Sequence, residues 1–127
     1  MQCKEIDEEG LKALRDASLI VLGVGINQDI ESEGRDRFLL PGRLIPSESI
    51  LLPEGQRRLI SLILEQTRCD VVLVYFSGCG ALDLSAYEAD DRVIGILSAG
   101  YTGMFGGTAV AEILVGKVNP STFPPRA

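Results

Sequence analysis

The densest set of reactive side chains is Asn27-Gln28-Asp29-Ile30-Glu31-Ser32-Glu33-Gly34-Arg35-Asp36-Arg37. It offers four carboxylates, two amides and two guanidinium groups within eleven residues. The chain has no histidine, which removes Ser-His-Asp, Cys-His and His-metal chemistry. Acid/base work therefore falls to carboxylates, Tyr, Lys or Cys. The run follows directly on the apolar stretch Ser18 to Gly25, which reads as a buried strand closed by glycines. In an open parallel sheet, ligands bind outside the carboxyl ends of strands, so this is where a site is expected. A solvated, charge-balanced loop with weak local ion pairs explains the same residues, and the residues alone leave both readings open.

The elements that must position the run follow from periodicity. Leu11 to Asp16 has helical character. Two further apolar runs, Cys69 to Phe76 and Arg92 to Leu97, end like the first in small residues, at Ser77-Gly78 and Ser98-Ala99-Gly100. Between and after them, Glu54 to Gln66 places Leu59, Ile60, Ile63 and Leu64 on one face, and Gly107 to Val115 carries Ala109, Val110, Ile113 and Leu114. Strands rich in Val, Ile and Leu alternating with helices predict an α/β fold, a three-layer α/β/α sandwich with a mostly parallel sheet. Three strands are few for such a sheet, so an incomplete version is expected. Phe38 to Pro53, punctuated by Pro41-Gly42, Pro46-Ser47 and Pro53, reads as a long loop, and 119–127 as a Pro-rich tail after a domain over 1–118.

Composition narrows the partners. With 127 residues, 46% hydrophobic and 24% charged, the chain is one small globular domain. A net charge of −6 argues against nucleic acid and anionic membrane, which require clustered Lys and Arg. The polar, acidic start lacks the pattern of a secretory signal, and no apolar run is long enough to span a bilayer, so a cytoplasmic chain is expected. Cys3, Cys69 and Cys79 have neither zinc spacing nor an even count and read as free thiols. No metal and no cofactor is expected. Gly23-Val24-Gly25 after a strand suggests nucleotide binding only faintly, because the third glycine and the following helix of a dinucleotide fingerprint are absent.

Four ordered blocks resemble glycoside hydrolase family 3, especially its β-xylosidase and arabinofuranosidase branch. Gly25 to Arg37 is similar to the family segment G-x-[DN]-Q-x-I-E-x-E-G-x-D-R, and Leu52-Pro53-Glu54-Gly55-Gln56 to its LPGxQ helix start. Ser77-Gly78 through Leu82-Asp83-Leu84-Ser85 resembles SGGPxDxS. Ala99-Gly100-Tyr101-Thr102-Gly103 with Gly106-Gly107-Thr108-Ala109, then Gly116 to Ser121, resembles AGYPGxxGGxA and GxxNPSG. Relative to the family, Phe38 to Ser47 is extra sequence, and Thr102 stands where Pro is typical.

The resemblance implies the later part of the family's C-terminal α/β sandwich, which supplies a Glu acid/base while a separate barrel supplies a nucleophilic Asp. It makes Glu33 the acid/base, by its spacing before Asp36-Arg37, and Glu31 the substitute candidate. Two residues apart on an extended segment, these carboxyls point to one side, and two like charges that close would raise one pKa. Arg35, Asp36 and Arg37 read as an exposed ion-pair set without a catalytic role. The expected ligand is a carbohydrate, a β-glycoside, with the barrel supplied by another chain or the site completed in a homo-oligomer; a non-catalytic sugar-binding or interaction remnant is the alternative. Asp83 is expected as a helix cap rather than a ligand-facing carboxylate. Gly100, Gly103, Gly106 and Gly107 are expected as turn glycines rather than an anion cradle.

Overall fold

The computed structural model describes residues 6–28, 30, 50–78 and 82–120, together with the backbone of 39–40 and 43–44. Helix α1 (Glu8–Asp16) leads into strand β1 (Leu19–Gly25). The two-residue strands β2 (Leu39–Leu40) and β3 (Arg43–Leu44) pair antiparallel. Then come α2 (Glu54–Gln66), β4 (Asp70–Phe76), the short α3 (Ser85–Glu88), β5 (Val93–Ser98) and α4 (Gly106–Leu114). The main sheet has the order β1-β4-β5 and is parallel throughout. This is the α/β architecture expected from the alternation of apolar runs and helices.

Each helix limit has a local cause. The α1 helix begins at Glu8, earlier than the periodicity predicts, because Asp7 accepts a hydrogen bond from the Gly10 amide at 2.8 Å and caps the first turn. Glu8 and Glu9 in that turn complement the positive end of the helix dipole. Pro53 stands just before α2, where its fixed φ suits a helix start. At the other end of α2, the Thr67 hydroxyl turns back onto the Ile63 carbonyl at 2.9 Å.

The register puts Ile20 opposite Val71 and Leu22 opposite Leu73, so one face of the sheet presents a continuous apolar surface. Ile20, Val71 and Leu73 meet Ile63 of α2 in one cluster, joined by Leu14, Ala17 and Leu59. Val24, Leu52, Ile60 and Leu84 form a second. Ile60, Val71 and Leu73 are wholly inaccessible to solvent, which makes them the centre of the hydrophobic stabilisation. Polar ties secure the periphery. Arg15 Nη2 donates to the Gln66 Oε1 at 3.0 Å, joining α1 to α2. Arg92 Nε and Nη2 donate to Asp90 at 2.9 and 2.6 Å, while its Nη1 donates to the carbonyls of Leu64 and Thr67 where α2 ends. A cation at a helix C-terminus is favourable there.

The opposite face of β1 is different. Leu19 and Val21 remain 47% and 46% exposed, so no helix of the described residues covers them. Among the described residues the sandwich is thus incomplete over β1, as three strands predicted. One expectation is corrected. Residues 38–53 are not wholly loop, since they contain the short β2-β3 ladder, and the LeuLeu and ArgLeu pairs flanking Pro41-Gly42 are too brief to register as alternation. The helical turn α3 follows Asp83, and its four residues are too few to show a period of their own.

Candidate functional site

Parallel pairing brings the carboxyl ends of β1, β4 and β5 to one edge of the sheet. Gly25 pairs with Phe76, and Tyr75 with Ser98, so the chain leaves all three strands at nearly the same level. Ile26, Asn27 and Gln28 follow β1, Ser77 and Gly78 follow β4, and Ala99, Gly100 and Tyr101 follow β5. Ile26 and Ser77 are buried at this edge, whereas Asn27, Gln28 and Tyr101 are exposed. The polar run therefore departs from the position that open parallel sheets use for ligands. Glu31 and Glu33, like Asp29, Arg35, Asp36 and Arg37, lie outside the described residues, as do Cys3 and Cys79. Cys69 is a free thiol packed against the first cluster.

The departure point is fixed from two sides. The Ile26 amide donates to the Phe76 carbonyl at 2.9 Å, continuing the β1-β4 ladder one residue past the strand. On the other side the Gln56 side chain, in the first turn of α2, accepts from the Gly25 amide at 2.8 Å and donates to the Gly25 carbonyl at 2.7 Å. Gly25 has φ of 151°, and a Cβ there would fall on the Phe76 carbonyl oxygen and within 2.8 Å of the Phe76 amide nitrogen. Only glycine meets both demands.

The neighbouring turn is built around Asp83. Its amide donates to the Ile50 carbonyl at 2.8 Å, and a parallel bridge joins Leu51 to Asp83, tying the approach to α2 to the approach to α3. The Asp83 Oδ1 accepts from the Ser85 amide at 3.0 Å and the Ser85 hydroxyl at 2.6 Å. The carboxylate thus braces the turn into α3 from the residue before its N-cap, Leu84, rather than capping the helix itself as expected. The Ser85 hydroxyl and then the Ser85 amide hold its pKa below the ordinary aspartate value. A depressed folded-state pKa contributes stability above the unfolded value of about 3.9 and loses it as pH falls through the folded value. Melting curves should accordingly show Asp83→Asn less stable than the parent at pH 6, with the difference gone near pH 2. A gap that persisted into strong acid would contradict this origin.

Tyr87 lies between the two apolar clusters, and burial pushes its phenol pKa up against the opposing pull of the Arg57 guanidinium. The Tyr87 phenol therefore stays protonated at neutral pH. Of the four glycines before and within α4, Gly100 has a positive φ of 63° and Gly106 abuts the Thr102 side chain, while Gly103 and Gly107 face open space. Turn geometry and close packing account for the first two. Among the described residues, no group of three or more His, Cys, Asp or Glu is arranged to hold a metal ion, and no helix is long and apolar enough to cross a membrane.

The Gln56 clamp was not foreseen from sequence. A glutamine in the first turn of an amphipathic helix reads as solvent-facing, and only the pairing of α2 with the end of β1 reveals its two partners.

Comparison with known proteins places this arrangement. The family model of the glycosyl hydrolase family 3 C-terminal domain matches residues 4–125. The chain is 39% identical over 108 residues to β-D-xylosidase 1 of Arabidopsis thaliana, covering 85% of this chain and 12% of that protein. It is 36% identical over 124 residues to β-xylosidase/α-L-arabinofuranosidase 1 of Medicago sativa subsp. varia, covering 95% of this chain and 14% of the relative. An exo-1,4-β-xylosidase of Emericella nidulans is 36% identical over 114 residues, 90% of this chain and 13% of its own length. The chain therefore spans about one eighth of the length of these relatives. With the family model matched along nearly its whole length and the parallel sheet in place, the chain belongs to the glycosyl hydrolase family 3 C-terminal domain family.

Proposed function

We propose that this chain is the acid/base-bearing module of a retaining β-glycosidase, with Glu33 as acid/base and the nucleophile supplied by a barrel domain outside these 127 residues. The observation that carries the reading is the run Asn27 to Arg37, which leaves the carboxyl end of β1 at the point fixed by Gln56 and Phe76. A retaining glycosidase needs two carboxyl groups about 5–5.5 Å apart, one to attack the anomeric carbon and one to protonate the leaving oxygen. The family pattern implies only the second of these in this chain. The substrate class is a β-xyloside or an α-L-arabinofuranoside, in keeping with the names of the relatives.

The test uses the purified chain with aryl β-xyloside and β-glucoside, alone and mixed with the barrel-bearing remainder of a family 3 β-xylosidase lacking the matched segment. The expected result is no hydrolysis by the chain alone and hydrolysis in the mixture. Turnover by the chain alone would overturn the reading, since a full site would then reside in 127 residues. Binding of the sugar without turnover in the mixture would instead identify a carbohydrate-binding remnant.

A further inference from the structure

We infer that Gln56 is a positioning residue for the candidate acid/base segment, pinning the last residue of β1 and so setting where and in which direction the chain leaves the sheet at Asn27 and Gln28, where that segment begins. The inference rests on the acid/base reading above and adds to it a residue outside the polar run. Along a parallel strand, backbone groups point alternately to the two neighbours. The Ile26 amide points to β4, so the N–H and C=O of Gly25 point away from it, to the outer edge of β1. There a further strand would pair. The Gln56 carboxamide occupies that place and supplies one acceptor and one donor, the same complement as a strand residue.

The consequence is local rigidity at the end of an edge strand, where fraying is ordinarily greatest. Gly25 is held on one side by the Phe76 backbone and on the other by a side chain rooted in α2, whose Ile60 and Ile63 are fully packed. The bonds are 2.8 and 2.7 Å and part-buried, so water competes for them poorly. The two residues that follow Ile26, Asn27 and Gln28, begin the polar run within two peptide units of the clamp. A shift at Gly25 is transmitted directly into that run, and a misplacement of about 1 Å is enough to impair a catalytic group.

The test is made on the isotopically labelled chain, comparing the parent with Gln56→Met and Gln56→Glu. Methionine keeps the length and volume of glutamine and removes both hydrogen bonds. Glutamate keeps the acceptor for the Gly25 amide and, once ionised, loses the donor to the Gly25 carbonyl. In Gln56→Met the Gly25 amide should exchange about tenfold faster, and the resonances of Asn27, Gln28 and Glu33 should move while those of Val71 and Leu73 stay in place. Gln56→Glu should move the same resonances and decides the matter if Gln56→Met does not fold. Unmoved Glu33 resonances beside accelerated Gly25 exchange would reduce Gln56 to a purely structural clamp and overturn the inference. Unchanged Gly25 exchange would overturn it as well. Neither readout involves turnover, so failure here is distinct from failure of the acid/base reading, which the hydrolysis assay detects.

Discussion

In the mixture of this chain with a family 3 barrel, Glu33→Gln is expected to lower kcat/KM about a thousandfold on an aryl β-xyloside with a poor leaving group. The size follows from the role. An amide of the same shape neither protonates the departing oxygen nor, in the second half-reaction, takes a proton from the attacking water. With an activated leaving group that departs as a stable anion, the first step needs little acid assistance. Bond cleavage should then persist while hydrolysis of the glycosyl-enzyme stalls, seen as a burst followed by slow turnover. Glu31→Gln serves as the comparison and should change the rate by less than about tenfold. If the two variants exchange places, the acid/base is Glu31. If neither loses activity, the carboxylates of this run take no part in the reaction.

Gly25→Ala is expected to destabilise the fold by about 3 kcal/mol. Two costs act together. The φ of 151° is unfavourable for any residue with a side chain, and the added methyl group falls on the backbone of Phe76 rather than on a movable side chain. Relief by shifting β1 outward is blocked, because the seven-residue parallel pairing with β4 lies on one side and the Gln56 amide on the other. For a domain of this size that cost corresponds to a fall in Tm of about 10 °C, readable by circular dichroism. A change of under about 2 °C would show that the strand end moves freely and would also remove the basis for the clamp.

Much of this was legible in the sequence, for reasons that differ between elements. The three strands could be read because Leu19 to Gly25, Asp70 to Phe76 and Val93 to Ser98 are apolar runs ended by small residues, a pattern that depends on no distant contact. The α2 helix showed itself through the spacing of Leu59, Ile60, Ile63 and Leu64, the residues that pack on the sheet or beside it. What escaped was short or non-local. The α3 turn is held by Asp83 and Ser85, and the β2-β3 ladder has two pairs, each below the length at which periodicity speaks. Asp83 as a local structural carboxylate was readable because it acts on a backbone amide two residues away, though the N-cap of α3 is Leu84. The Gln56 clamp was not, since its partner lies 31 residues distant. Glu31 and Glu33 were reached through the family pattern and lie beyond the described residues.

The clamp also bears on how this domain tolerates change in chain length. Gly25 and Gln56 are the two ends of a segment closed by side-chain to backbone hydrogen bonds, and Leu51 is anchored to Asp83 just before the second end. Residues inserted between such posts leave the sheet and α2 undisturbed, and the entropy of closing the segment rises only with the logarithm of its length. The ten residues Phe38 to Ser47, extra relative to the family pattern, fall inside that interval. A scaffold built this way lets the length of chain between the two posts vary while the end of β1 stays in place.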